Sequence, residues 1–244
     1  MQTVLVVLGC GLAMMLWEMR RPGRRFAKVP GWLPRAILLN SVQGLVAFVA
    51  AITWDRWMSG IALWHAGGHG LLVDVLIGYV VLTFVYYWWH RARHEIPFLW
   101  RWVHQVHHSA TRIELITSFY KHPVEILTNG VLSSLIVYVL LGLEPTAAGL
   151  AATLTGLAEL VYHWNVRSPY WLGFVFQRPE SHCVHHQHGH HTSNFSDLPL
   201  WDMLFGTFDN PRAAPEQCGF GPDVERRLPE LLLGGEIPSQ RSSS

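Results

Sequence analysis

Five apolar runs, each near the roughly 20 residues that carry a helix across a bilayer, constrain this chain more than any other feature. They cover residues 3–17, 37–54, 71–89, about 126–143 and about 146–162. The lysines and arginines between them alternate in number. Segment 18–36 holds six (Arg20, Arg21, Arg24, Arg25, Lys28 and Arg35), segment 55–70 one (Arg56), and segment 90–123 five. Segment 142–147 holds none, and six follow residue 163. This is the alternation that the positive-inside rule expects of five spans with a cytoplasmic C-terminus. The first run has its positive charges after it rather than before it, so it reads as a retained span and not as a cleaved signal peptide. Gly142, Pro145 and Gly149 punctuate the turn between the last two runs, so these two are either spans or a shallow re-entrant hairpin. Either way the chain returns to one side.

The fold class that follows is all-α, a multi-span transmembrane helical bundle with a helical cap on the cytoplasmic side. Only 14% of the 244 residues are charged, 50% are apolar and the formal net charge is +1. That balance excludes a disordered chain and gives no basic footprint for nucleic acid. Cys10, Cys183 and Cys218 are too few and too scattered for a disulfide scaffold. The 12 tryptophans suit the membrane interface, where Trp88, Trp89, Trp100, Trp102 and Trp164 would lie.

Fifteen histidines stand out against this background, and most gather on the cap side. His90 and His94 are four apart and share one helix face. His104, His107 and His108 form His-x-x-His-His, and His182, His185 and His186 repeat it. Eight imidazoles aimed at one place exceed the four that satisfy a zinc ion. They suggest a di-metal site, with His163 at the end of the fifth run as a ninth ligand. Imidazole suits iron, zinc, copper or nickel, so the ligand type leaves the metal open. Polar groups beside apolar spans are costly and usually functional. His188, His190 and His191 surround Gly189, and one of them is expected at the edge of the site. His65 and His69, on the opposite side, read as surface residues.

Carboxylates and amides complete the expected surroundings. Glu159 lies one turn before His163 and Glu125 three residues after His122. Each is placed to accept the second ring N–H of a ligand histidine. Glu125 also fits a second use, as an acidic group complementing the dipole of a helix that starts at Pro123. Asn165 and Asn194 are placed to hold a water or a ligand's outer hydrogen bond, and no catalytic side chain is expected beyond the ligands.

These motifs resemble the fatty acid hydroxylase/sterol desaturase superfamily of membrane di-iron oxygenases. The resemblance runs from His90 to about Phe208, and extends weakly to EMRRPGRRF near the first run. It rests on His90/His94, His104/His107/His108, the His-Pro-x-Glu segment at 122–125, His163-x-Asn165, His182/His185/His186 and the closing SNFSDLPLWDMLFGTF. Cys183 stands where the family usually carries a basic residue. The resemblance implies two non-haem irons, O2 as co-substrate, and hydroxylation or desaturation of an unactivated C–H bond in a membrane lipid. It also implies electrons from a separate cytochrome b5-like or ferredoxin-like protein.

The expected organisation is residues 1–89 as N-terminal transmembrane helices and 90–210 as the histidine-rich domain, with its hairpin near 126–163. Residues 211–244, rich in Pro, Gly, Arg and Ser, read as a peripheral or disordered tail. Hydroxylase is preferred over desaturase. A metal-transporting membrane protein is a weaker alternative, because it would place histidines near the bilayer midplane.

Overall fold

A computed structural model describes residues 2–235, and everything below concerns those residues. The chain is helical, with no β-structure beyond one bridge between Gln187 and Cys218 among the described residues. Helix α1 covers Gln2–Arg20, and α2 covers Trp32–Ile52 and bends at Thr53 into α3 (Trp54–Met58). Helix α4 runs from Leu71 to Glu95 without a break. The expected boundary after residue 89 therefore falls inside one helix, and His90 and His94 ride on the end of an apolar rod. Ile96 precedes a proline and is extended (φ −96°, ψ 112°), which ends α4.

A short α5 (Pro97–Leu99), a π-helical turn (Trp100–His104) and α6 (Gln105–Ser109) then carry the second histidine motif. Helix α7 (Pro123–Ser134) continues as a π-helical stretch to Leu140, and α8 covers Pro145–His163. Helices α9 (Pro179–His185) and α10 (Pro199–Phe205) complete the cap, and α11 (Pro222–Glu225) and α12 (Leu228–Leu232) form the tail. Proline opens α7, α8, α9 and α10, where its missing N–H costs no helical hydrogen bond.

The long helices run up and down. Trp164, just past α8, donates to the carbonyl of Met14 on α1 (2.9 Å), and Trp32, at the start of α2, donates to Glu114 (2.6 Å). At the other end Leu63 N–H donates to Val139 O (2.7 Å) and Ala66 N–H to Leu141 O (2.9 Å). Helices α4 and α8 approach closely because Gly78 faces Ala151 and Leu143. A Cβ at residue 78 would collide with both. Leu82, Ile136, Val137, Leu141, Ala148 and Ala151 fill the core beside this crossing.

Three helical stretches are long and apolar enough to cross a membrane: Trp32–Met58, Leu71–Glu95 and Pro123–Leu140. Their outer faces expose Leu38, Phe48, Leu72 and Leu76, as a lipid-facing surface would. The first and fifth of the five expected runs form α1 and α8, which are not among those three. Helix α8 is rich in Ala, Thr and Gly and carries Glu159, which dilutes its apolar character. The first arm of the hairpin near 126–163, Pro123–Leu140, is one of the three stretches long and apolar enough to cross.

The tail departs from the expectation of a peripheral segment. Leu228 and Leu231 are buried against Trp32, Ala36, Val106 and Tyr120. Glu225 is fully buried, accepts from Thr111 N–H (3.1 Å) and pairs with Arg35 (3.2 Å). Gln105 donates to Gly235 O (2.9 Å). Composition hid this because two leucines three apart on a one-turn helix are too short a pattern to stand out. The part of the expected tail at 236–244 lies outside the described residues. Leu231→Ala should cost about 2–5 kcal/mol, the usual penalty for emptying a buried leucine site. A thermal-unfolding midpoint unchanged from the parent protein would contradict this packing role.

Candidate metal centre

The structure brings the nine expected histidines together in two adjoining groups. One holds His90, His94, His104, His108 and His185; the other holds His107, His163, His182 and His186. Within each group the ligand atoms lie within 4.8 Å of one another. Local chain geometry explains the convergence. The final turns of α4 aim His90 and His94 across the bundle end, and the π-turn re-aims His104 before α6 presents His107 and His108. His163 closes α8, and one face of α9 supplies His182 and His185, with His186 at its end.

The hydrogen bonds fix where the ring protons sit. Carbonyl oxygens only accept, so a ring nitrogen facing one must carry the proton. His90 Nδ1–H donates to Phe195 O (2.7 Å), His185 to Ser193 O (2.7 Å), His163 to Glu159 O (2.9 Å) and His107 to Tyr120 O (3.2 Å). His104 Nδ1–H donates to Glu125 Oε1 (3.0 Å). In these five rings Nε2 is left as a bare lone pair. His90 Nε2 and His104 Nε2 nevertheless stand 3.0 Å apart. Two lone pairs at that distance repel unless a cation lies between them. His94 Nε2 and His185 Nε2 are buried without any hydrogen-bond partner, the state expected of metal-ligand atoms awaiting a cation.

Burial keeps the cap-side rings neutral, as metal ligation requires. Desolvation, reinforced by neighbouring imidazoles or cations, holds His104, His107, His108, His182 and His186 well below the ordinary histidine range. It brings His185 down to about 3. The residues therefore fit two divalent transition-metal ions, one taking five nitrogens and the other four.

The expected supporting residues divide. Glu125 is fully buried and joins His104 to Arg93, whose guanidinium pairs with the same carboxylate oxygen. The Glu159 carboxylate turns instead to Lys121, and only the Glu159 backbone carbonyl reaches His163. His122 caps α7, with Nδ1 accepting from Val124 N–H (3.1 Å) and Nε2–H donating to Leu232 O (3.1 Å). Asn165 is spent on the loop after α1, accepting from Arg24 N–H (2.9 Å) and donating to Arg24 O (2.8 Å). Asn194, with φ at 58°, donates to Ser181 O (2.8 Å) and accepts from Asp209 N–H (2.8 Å), anchoring α9 rather than a ligand ring.

Of the three histidines around Gly189, His191 reaches the site's edge. Its ring lies 4.8 Å from His108 and 5.3 Å from Trp100. His188 faces Gly219 O (2.7 Å) and His190 faces Ser193 Oγ (3.1 Å). His65 and His69 are exposed.

Sequence reasoning missed Arg93, Lys121 and Asp202. Asp202 accepts from Phe195 N–H (2.8 Å) and Ser196 N–H (3.0 Å), and so holds the carbonyl that orients His90. Arg93 lies three residues after His90 on α4, a spacing that puts both on one helix face and was a usable signal.

A cavity of about 410 Å³ opens from this centre into the bundle between α2, α4, α7 and α8. His90, His104, His107 and His182 line one end, and Asp55 and Ser134 the other.

Comparison with known proteins adds an independent line. A model described as fatty acid hydroxylase matches residues 75–207. An ornithine lipid hydroxylase of Rhizobium tropici is 33% identical over 57% of this chain and 42% of its own length. A sphingolipid C4-hydroxylase of Schizosaccharomyces pombe is 29% identical over 52% of this chain and 45% of its own. The human alkylglycerol monooxygenase is 29% identical over 52% of this chain and 29% of its own. The chain thus spans less than half the length of each of these relatives. No solved structure matches.

Proposed function

The chain belongs to the fatty acid hydroxylase family, and from that premise we propose that it is a membrane oxygenase holding two irons, which hydroxylates an unactivated C–H bond of a membrane lipid. Two groups of neutral imidazoles opening onto one cavity inside the bundle are the observation that carries this reading. Two bound irons would supply the activation of O2 that no amino-acid side chain performs. One would be held by His90, His94, His104, His108 and His185, and the other by His107, His163, His182 and His186. The protein's own contribution is position and dryness. Phe195 packs against His90 and His185, and Tyr162 against His182, walling the ligands from water.

A lipid chain would occupy the cavity and present one carbon to the histidine end. Electrons would come from a separate cytochrome b5-like or ferredoxin-like protein. The centre would lie on the cytoplasmic side, where the arginine-rich segments gather. A reporter moved from the C-terminus into loop 55–70 should change sides, and finding both on one side would defeat this orientation.

Accurate-mass comparison of total lipids from cells expressing the parent chain or its His185→Ala variant tests the reaction. A lipid gaining one oxygen only with the parent chain is the expected result. A lipid losing two hydrogens would make the protein a desaturase. Identical profiles in a host with a matching reductase and the candidate lipids would overturn both.

The cavity makes a separate prediction. Gly156 lines it, and a Cβ at that position would meet nothing within 4 Å. Gly156→Leu should fit without strain, fill substrate space and lower turnover at least about tenfold, the scale of a small misplacement of a substrate. Its metal content should equal the parent's. Full turnover by this variant would exclude the cavity as the substrate's place.

A further inference from the structure

Helix α9 has a second face. His182, His185 and His186 point to the metal groups, while Glu180 and Cys183 line a separate cavity of about 390 Å³. That cavity is walled by segments far apart in sequence. Arg24 comes from the loop after α1, Arg167 and Trp164 from the loop after α8, and Arg212 from the start of the tail.

Three guanidinium groups from three segments thus share one concavity, and none of them has a carboxylate partner among the described residues. Arg24 spends its side chain on Pro215 O and on Cys183 Sγ (3.2 Å). Arg212 lies over the Tyr170 ring at 4.7 Å. Arg167 is exposed and has no hydrogen bond or ion pair among the described residues. The one carboxylate in the wall, Glu180, is already satisfied. It accepts from Ser168 N–H (2.9 Å) and Ser168 Oγ–H (2.6 Å), and pairs with Arg178 (3.1 Å). Three arginines against one carboxylate already shared with Arg178 leave an excess of positive charge in this wall, which an anion with several acceptor oxygens would balance.

Position narrows the anion further. The cavity lies just past the C-terminal ends of α1 and α8, where Trp164 donates to Met14 O, and in the proposed membrane orientation this end of the bundle would face the headgroups. A phosphomonoester, with two negative charges and three terminal oxygens, suits the forks of Arg167 and Arg212 better than a carboxylate does, with Arg24 adding its charge from the wall.

We propose that this cavity is a phosphate-binding site, separate from the metal centre and backed by the helix that carries three of its histidines. The phosphate group belongs either to an anionic lipid headgroup or to free phosphate, and the two sources are separable by experiment. Because binding alone is read, the test stands whatever reaction the protein performs.

Isothermal titration of the purified full chain in a non-ionic detergent is the measurement. The probes are dioctanoyl phosphatidic acid, the neutral dioctanoylglycerol and inorganic phosphate. The phosphatidic acid should bind at least about tenfold more tightly than the neutral lipid, the effect of one or more charge-assisted contacts. The double variant Arg167→Ala/Arg212→Ala should lose at least about tenfold in that affinity. Both residues are exposed and outside the core, so its thermal midpoint should match the parent's. Lysine at both positions should restore part of the affinity.

Displacement of the phosphatidic acid by equimolar inorganic phosphate would assign the site to the free anion. Resistance to displacement would assign it to the headgroup. Equal affinities for charged and neutral lipid, or an unchanged affinity in a folded double variant, would overturn the proposal.

Discussion

Replacing His107 by alanine should abolish product formation while the protein stays folded and membrane-inserted. His107 is one of only four nitrogens in its group, so its loss leaves three ligands and an open edge. Its ring also packs at 4.6 Å against His186 and 5.1 Å against His163, so the neighbouring rings lose their support as well. The metal content of the purified variant should fall by about half, because the five-histidine group keeps all its nitrogens. Measuring metal and product together decides the matter. A variant with full metal and full product would remove His107 from the centre.

The second large effect concerns Glu125. This fully buried carboxylate serves Arg93 and His104 at once. Glu125→Ala would strand the Arg93 guanidinium in a buried position, which costs about 3–5 kcal/mol when one partner of a buried pair is removed. It would also free His104 to rotate, and loss of a partner that orients a ligand histidine typically costs 10–100-fold in metal affinity or activity. Glu125→Gln keeps an acceptor oxygen for His104 Nδ1–H and should retain more metal than the alanine variant. Chemical unfolding and metal titration of the two variants separate the roles. Equal stability of Glu125→Ala and the parent would show that Arg93 does not depend on this carboxylate.

The histidine positions were legible because they obey helical spacing, and a spacing of three or four residues constrains direction as well as distance. The same logic failed for Glu159. Its place one turn before His163 was read correctly, yet the carboxylate belongs to Lys121, 38 residues away in sequence. Sequence spacing gives the helix face but not the competitor on a neighbouring segment. Glu125 shows the converse. Its partner is His104, 21 residues upstream, rather than the adjacent His122, whose ring is taken by the α7 cap.

Asn165 and Asn194 were recognised as polar groups near the ligands, but their use is to pin backbone. The left-handed conformation of Asn194 has no signature in a single sequence, because asparagine visits it only where tertiary contacts demand it. The apolar runs were legible as helices. Three of them lie in helical stretches long and apolar enough to cross a bilayer, and α8 is more dilute because Ala, Thr, Gly and Glu159 interrupt its apolar residues.

The tail carries a consequence for how the molecule is made. Gly219 N–H donates to His186 O (3.0 Å), and the segment that follows buries Leu228 and Leu231 beneath the helix bearing His107 and His108. These residues follow the last histidine motif in the chain, so they are synthesised after all of the ligands. Contacts of such long sequence separation also form slowly. Closure of the histidine cluster on this side therefore waits for a segment made after its last motif, and the order of synthesis becomes an order of enclosure.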